Sequence, residues 1–400
     1  MTAIVESSPS ASVWASLGLS RPTGRRTGLF LGLLSVVTLL CVIGLVMVVS
    51  ASSVVGLYQF GSTWYFAKRQ LIWLAISFAV MFITMRIDYR FWRKLATPIL
   101  LGSIGALILV LVPGIGVNVY GSTRWIGAGP IQIQPSEFAK FGLILFCADL
   151  LSRRVHKLGN WRLTLRPVLL MTGAVAFLLM LQPNLGTTLV TGAIVAAILF
   201  VSGMPLLPLG VTAMTAGGLA TVLAFAAPYR RARIVGSLRP WDDPLGDGYQ
   251  TIQSMVSIAL GGLSGVGLGA SRAKWGFLPF AHTDFVFAII AEETGIYGAA
   301  LVILLFVLLC VVGILIALRA QDRFGTLVAT GITTWLAVQA FVNVGAAIAI
   351  LPVTGVPLPF VSFGGSSMVS TMAATGVLLN IARQARPVGR QMAAEVPTSA

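Results

Sequence analysis

His282, Asp284, Glu292 and Glu293 crowd into PFAHTDFVFAIIAEETG (residues 279–295), at the head of an apolar run that continues to Leu318. The 400 residues contain only 12 acids and 2 histidines, and ionised groups are expensive wherever a chain enters lipid. A carboxylate at such a rim has two readings. It can cap the helix and meet the positive end of its dipole, or it can take a proton from a substrate. Position alone leaves both open for Asp284. At about 100° per residue, Ala288, Ala291, Gly295 and Gly298 fall within about 40° of Asp284, a small-residue face suited to close helix packing. Glu292 lies about 80° and Glu293 about 180° around from it. Both suit pairing with cations of the outer loop, and only Glu292 could support the site. His282 either donates to Asp284 or rests at the interface.

Three further clusters offer polar atoms. In GSTRWIGAGPIQIQPSEFAKF (121–141), Glu137 and Lys140 are spaced to pair on one helix face. The plainer reading has Glu137 complementing the dipole and Lys140 snorkelling to the interface. Arg124 and Trp125 precede them, as an ordinary interfacial pair or as part of a site. LPVTGVPLPFVSFGGSSM (351–368) carries prolines and glycines but no charge. Non-helical backbone at membrane depth persists only when buried in protein or lining a cavity. This predicts a re-entrant segment, with Ser366 and Ser367 opening the last helix. QPNLG (182–186) marks a tight outer turn that brings Gln182 to the same side. Gln339 and Asn343, one helical turn apart, should face inward.

The elements that must position these residues are membrane helices. The chain is 57% hydrophobic and 10% charged, against about 25% charged in a soluble domain. Leu29 to Val49 holds no charge and is long enough to cross a bilayer. The runs do not alternate in hydropathy as barrel strands would. The fold class is therefore all-α and polytopic, with about ten transmembrane helices near 28–52, 69–86, 95–115, 136–152, 166–183, 185–203, 205–227, 284–318, 326–350 and 365–382. The first is too long for a cleaved signal peptide and stays as an anchor. Most of the 27 basic residues fall on one side of this arrangement, which sets both termini in the cytoplasm. Residues 28–384 form one domain, flanked by disordered cytoplasmic tails at 1–27 and 385–400. Phe285 to Leu318 would measure about 51 Å as one helix, far beyond a core of about 30 Å. It must project, tilt, or bend at Gly295 or Gly298.

The net charge of +15 does not imply nucleic acid, because the cations sit in short clusters between apolar runs. Cys41, Cys147 and Cys310 lie inside those runs and build no disulfide or metal-ligand pattern. The exception to the topological pattern is the long outer loop 229–283, between helices 7 and 8. It holds Arg230, Arg231, Arg233, Arg239, Arg272 and Lys274, which are either neutral for topology, as cations of a long loop can be, or an anion site on the outer face, with short helices lying on the membrane. All four clusters converge on the outer side, whereas the inner half offers little beyond Asp149 and orienting cations.

MVVSASS (47–53), GSTRWIGAG, QPSEFAK, QPNLGTTLV, RPWDDPLGDGYQ, HTDFVFAIIAEETG and LPFVSFGGSS, in this order, resemble the SEDS family of shape, elongation, division and sporulation proteins. The likeness runs from about residue 28 to 384. Segment 47–53 and the stretch from RPWDDPLGDGYQ to KWGFLP are more similar to the division branch than to the elongation branch. The resemblance implies ten helices and peptidoglycan glycosyltransferase activity on lipid II. It also implies a class B penicillin-binding protein as partner, other division proteins, and a place in the bacterial cell membrane at the septum. It carries the essential aspartate to Asp284, the cavity-lining Glu and Lys to Glu137 and Lys140, and the tryptophan of WIG to Trp125. Many division-branch members have an acid where this chain has Phe280, so any role of that acid is absent here.

These strands combine into one expectation. Asp284 takes the proton of an acceptor 4-hydroxyl, and the diphosphate of a lipid-linked donor leaves with inversion. Diphosphate leaves without protonation, so the second carboxylate of a glycosidase is not needed, but its charge must be neutralised. Lys140, Arg124 and the outer-loop cations Arg231, Arg272 and Lys274, or a divalent cation such as Mg or Mn, could do so. Glu137, Trp125, Ser366 and Ser367 complete the binding surface, with His282, Glu292 and Gln182 in support. Burial would raise the Asp284 pKa and the cations would lower it. The rival readings are a lipid II flippase, which would want polar groups through the full membrane depth, an elongation-type polymerase, and a scaffold that only binds division partners.

Overall fold

The computed structural model describes residues 27–119, 122–128 and 131–385, so nearly all of the expected tails at 1–27 and 385–400 lies outside the described residues. A helix lies over each of the ten apolar ranges. In chain order these are α1 (Gly28–Phe60), α2 (Tyr65–Arg86), α3 (Trp92–Leu111), α4 (Pro135–Arg153), α5 (Leu165–Leu181), α6 (Leu185–Val201) and α7 (Leu206–Ala226). Two short helices, α8 (Pro228–Leu238) and α9 (Tyr249–Gly261), occupy the long loop, and α10 (Val286–Leu318), α11 (Arg323–Ala347) and α12 (Gly365–Arg383) follow. Among the described residues seven helices are long and apolar enough to cross a membrane; α5 and α6 are apolar but have 17 residues each. The remaining one, α4, carries Glu137, Lys140, Asp149 and Arg153. The chain is a polytopic helical membrane protein.

The helix ends follow their sequence signals. Thr27 caps α1, Asn184 caps α6 and Asp322 caps α11, each accepting a hydrogen bond from a backbone N–H of the first turn. One element stands outside the helical expectation. Strands β1 (Gly116–Val119), β2 (Ser122–Ala128) and β3 (Ile131–Ile133) form an antiparallel sheet in the order β1-β2-β3. β-branched and aromatic residues suit these strands, and Trp125 of β2 stands opposite Val117 of β1.

Packing is uneven. Helix α12 seats its glycines directly on α2. A Cβ added at Gly365 would lie 2.3 Å from the Trp73 ring, and one at Gly376 would lie 1.9 Å from Thr84 Oγ1. Buried Gln70, Ser77 and Thr84 line one face of α2, and Asn380 of α12 donates to Met85 O of α2 at 2.9 Å. By contrast α7 buries only Ala224. Two further acids hold cations: Asp149 meets Arg93 at 2.6 Å and Arg153 at 2.7 Å, and Asp322 meets Arg90 at 2.9 Å.

The long helix α10 breaks at Gly295, where φ is 68° and ψ −166°. The segment after α9 repairs the break. Val266 and Gly267 donate to the carbonyls of Glu292 and Glu293, at 3.0 and 3.1 Å, while Ile296 and Tyr297 donate to Gly262 and Leu263 at 3.0 and 3.4 Å. Broken helices at membrane depth need such replacement partners. The bend lets residues 286–294 serve the site while the rest of α10 runs on as a membrane-length helix.

Candidate active site

Helix α10 starts at Val286 with Phe285 as its N-cap, and no side chain caps it. The capping reading of Asp284 therefore fails, and its side chain turns to other neighbours. The re-entrant segment 351–364 passes directly against it. Gly355 adopts φ 70°, and a Cβ there would lie 3.7 Å from Asp284 Oδ2 and 3.9 Å from Arg124 Nη1. Carboxylate and guanidinium thus face one glycine. Arg233 of α8 brings a second positive charge to the same carboxylate. Burial pushes the Asp284 carboxyl up to about 6, against the downward pull of Arg233 and Arg124. Among the described residues no donor hydrogen-bonds this carboxylate, so desolvation wins over the cations.

Arg124 is held from behind. Its Nε donates to the Gln182 carbonyl at 3.1 Å and its Nη2 to the Pro183 carbonyl. Gln182 supports the site through its backbone, while its own side chain donates to Leu107 O at 3.1 Å. A shallow pocket continues from here, lined by Pro183, Gly186, Arg230, Arg233, Val353 and Thr354.

The HTD loop is fastened at three points. Asn343 Nδ2 donates to Asp284 O at 2.8 Å and to Val356 O at 2.9 Å. Ser362 Oγ donates to Thr283 O at 2.6 Å and accepts from Leu358 N at 2.8 Å. Phe363 N donates to His282 O at 3.0 Å. The His282 ring sits 4.8 Å from Phe66 and 5.8 Å from Phe363, and burial drops its pKa to about 4. It is a neutral packing residue, as expected of an interfacial one.

Glu137 and Lys140 do pair, at 2.8 Å, with 2% and 1% of their surfaces exposed. This excludes the snorkelling reading. Lys140 Nζ also donates to Gln339 Oε1 at 2.9 Å and lies 4.7 Å from the Trp335 ring. Ser367 and Ser370 donate to Glu137 Oε2 at 3.3 and 3.4 Å, and Ser366 accepts from Gln134 N at 3.3 Å. Gln339 passes this cluster's order outward by donating to Pro357 O at 2.9 Å. Lys140 thus meets the re-entrant segment through an intermediary.

A separate knot encloses the two glutamates. Glu293 lies 3.7 Å from Lys274 and accepts from Ser50 Oγ at 2.6 Å, while Glu292 accepts from Ser271 Oγ at 2.6 Å and Arg272 N at 2.8 Å. Both are 1% exposed. Lys274 pairs with Glu293 and donates to the Gly269 carbonyl, and the Arg272 and Arg231 side chains are exposed. Trp125, half-buried on β2, neighbours Arg124 in the strand. Arg233, one of six cations in the long loop, is the one that acts on Asp284 from α8. The hint was its place on an amphipathic basic stretch, PYRRARIVGSL.

Comparison with known proteins agrees with this architecture. The FtsW/RodA/SpoVE cell cycle protein model matches residues 31–387. The chain belongs to the FtsW/RodA/SpoVE family. Stage V sporulation protein E of Bacillus subtilis is 42% identical over 364 residues, 91% of this chain and 100% of that one. The probable peptidoglycan glycosyltransferase FtsW of Geobacter metallireducens is 42% identical over 350 residues, 87% of this chain and 93% of its own. Among solved structures, a chain of a peptidoglycan synthase complex, studied for the coordination of polymerization and crosslinking, superposes with a TM-score of 0.72. It is 34% identical and covers 88% of this chain and 97% of its own. The rod shape determining protein RodA of Thermus thermophilus gives 0.66 at 29% identity, over 91% of this FtsW/RodA/SpoVE family chain and 98% of its own.

Proposed function

We propose that this chain is a peptidoglycan glycosyltransferase that polymerises lipid II at the outer face of the membrane, with Asp284 as general base. The observation that carries this is the Asp284 carboxylate, desolvated, unused as a cap, and flanked by Arg124 and Arg233. A base poised near 6 ionises at neutral pH yet remains basic enough to take a hydroxyl proton in the transition state. The acceptor 4-hydroxyl loses its proton to Asp284 as its oxygen attacks the donor anomeric carbon from the face opposite the diphosphate. The bond to diphosphate breaks, and configuration inverts. Arg124 and Arg233 stabilise the departing negative charge. A divalent cation, where one serves, would find a ligand in Asp284 and would supply further neutralisation of the diphosphate charge.

The apolar surface of α7 gives a polyprenyl tail a way in from lipid. We place the chain in the division branch, at the septum, with a class B penicillin-binding protein that crosslinks its product; the synthase complex and the FtsW relatives support that reading. A flippase finds one observation in its favour, since the α2–α12 seam carries polar groups deeper than the sequence suggested. That seam is packed shut by Gly365 and Gly376, with no room for a disaccharide. The test is polymerisation of labelled lipid II by the reconstituted protein and its partner in penicillin. Polymer from wild type and none from Asp284→Ala is the expected result. Translocation without polymer would overturn it in favour of the flippase, and neither activity would leave the scaffold.

A further inference from the structure

Asn343 and Gln339 stand one turn apart on α11 and do more than face inward. Both side-chain amides bond non-helical backbone around Asp284. Asn343 Nδ2 bridges the carbonyls of Asp284 and Val356, while Gln339 Nε2 holds Pro357 O. Val356 and Pro357 directly follow Gly355, the residue that faces both the Asp284 carboxylate and Arg124. With both amide hydrogens engaged, the orientation of Asn343 is dictated by its acceptors. Its Oδ1 is left buried without a partner. An orphaned buried acceptor is destabilising, so apolar packing would serve the fold better at this position. What an apolar residue could not supply is the pair of donors that lock two chain segments together.

We propose that Asn343 is a positioning residue, whose two hydrogen bonds fix the Asp284 carboxylate against Gly355 and Arg124. The proposal rests on Asp284 as general base. The charged groups facing that carboxylate are Arg124 from β2 and Arg233 from α8; His282, in the same loop, packs between Phe66 and Phe363. Removing the bridge frees the base to drift, and a misplacement of about 1 Å costs about 100-fold in rate.

The experiment measures lipid II polymerisation against pH for wild type, Asn343→Ala and Asn343→Asp in the reconstituted complex, with thermal melting as a folding control. Asn343→Ala should lower kcat about 10- to 100-fold with KM changed little. Asn343→Asp keeps the shape, removes the donors and adds a negative charge beside the base. In Asn343→Ala, where no charge is introduced, the drift of the carboxylate away from Arg124 should also move the acid limb of the profile upward, which a merely structural residue would not do. Should Asn343→Ala fail to fold, Ser362→Ala, which cuts the neighbouring bond to Thr283 O, takes its place with the same expected kcat loss. Wild-type kcat and an unmoved acid limb in the folded variants overturn the proposal. Activity in Asp284→Ala, or a wild type without an acid limb, overturns the base assignment instead.

Discussion

Asp284 and the pair Glu292–Glu293 lie eight and nine residues apart at the same end of one helix, and the fold treats them oppositely. The two glutamates receive Ser50, Ser271, Lys274 and a backbone N–H, and they are sealed. Asp284 receives two positive charges at a distance and no donor among the described residues. Both oxygens of Glu292 are occupied, so any proton it took would have to displace a partner, while Glu293 has one oxygen held by Ser50 and Lys274 and the other sealed in the interior without a partner. A carboxylate held by its backbone, with its oxygens facing charge and open to a ligand, is equipped to react. Nearness to the membrane rim therefore does not single out the proposed base; what sets Asp284 apart is that hydrogen bonds hold its backbone while its carboxylate faces two cations.

The widest separation should appear on neutralising the two. Asp284→Asn removes the base and should cut polymerisation about 10²- to 10⁴-fold while leaving the protein folded. Its stability should even rise. The folded pKa of about 6 lies above the ordinary 3.8, so ionisation disfavours the fold, and that penalty is absent below about pH 4 and complete above about pH 6. Removing it should add on the order of 1 kcal/mol at pH 8, discounted for partial exposure. Glu293→Ala should do the reverse. It strands the buried Lys274 charge and should destabilise by about 3–5 kcal/mol, read as a lower melting temperature. The double change with Lys274→Met should recover most of that loss. If Glu293→Ala melts like wild type but makes no polymer, the contrast between the two sites is wrong.

A smaller effect tests the joint between them. Gly295 carries φ 68°, and a Cβ there would meet Leu263 O at 2.3 Å and Gly265 N at 2.4 Å. Gly295→Ala should cost about 1–3 kcal/mol, and amide exchange should quicken first at Val266 and Gly267, whose partners are the Glu292 and Glu293 carbonyls.

Much of this was legible in the sequence, and what was not has physical causes. Length and apolarity place the ten helices, because lipid allows no other open backbone. The mismatch between a 33-residue helix and the bilayer announces a bend, and Gly295 is one of two glycines that could make it. The Glu137–Lys140 pair follows from its spacing. What spacing could not supply is the third partner. Lys140 finds Gln339, some two hundred residues on, and joins it to Glu137 in one buried cluster. Lys274 is claimed by Glu293 in the same way. Arg233 gave no stronger local signal than Arg231 on the same turn, yet one faces Asp284 and the other is exposed. The sheet at 116–133 was hidden by the brevity of its strands. Such choices are made by tertiary packing, which a single chain of letters records only indirectly.

The smallest effect is also the most specific, because it sets two loop cations against each other. Arg233 depresses the Asp284 pKa, while Arg272 offers its backbone N–H to Glu292 and exposes its side chain. With Asp284 as the proposed base, activity requires its ionised form, so the rate should fall as pH drops through about 6. Arg233→Ala removes a charge that favours ionisation, which moves the carboxyl pKa up and the acid limb with it, by about one pH unit. Arg272→Ala keeps the backbone bond and should leave the limb where it stands. Both variants lose one loop cation, so any general change in membrane surface charge affects them equally and cancels in the difference. A shift shared by both would mean that the loop acts as a diffuse field; a shift confined to Arg233→Ala ties the titrating group to the carboxylate that faces it.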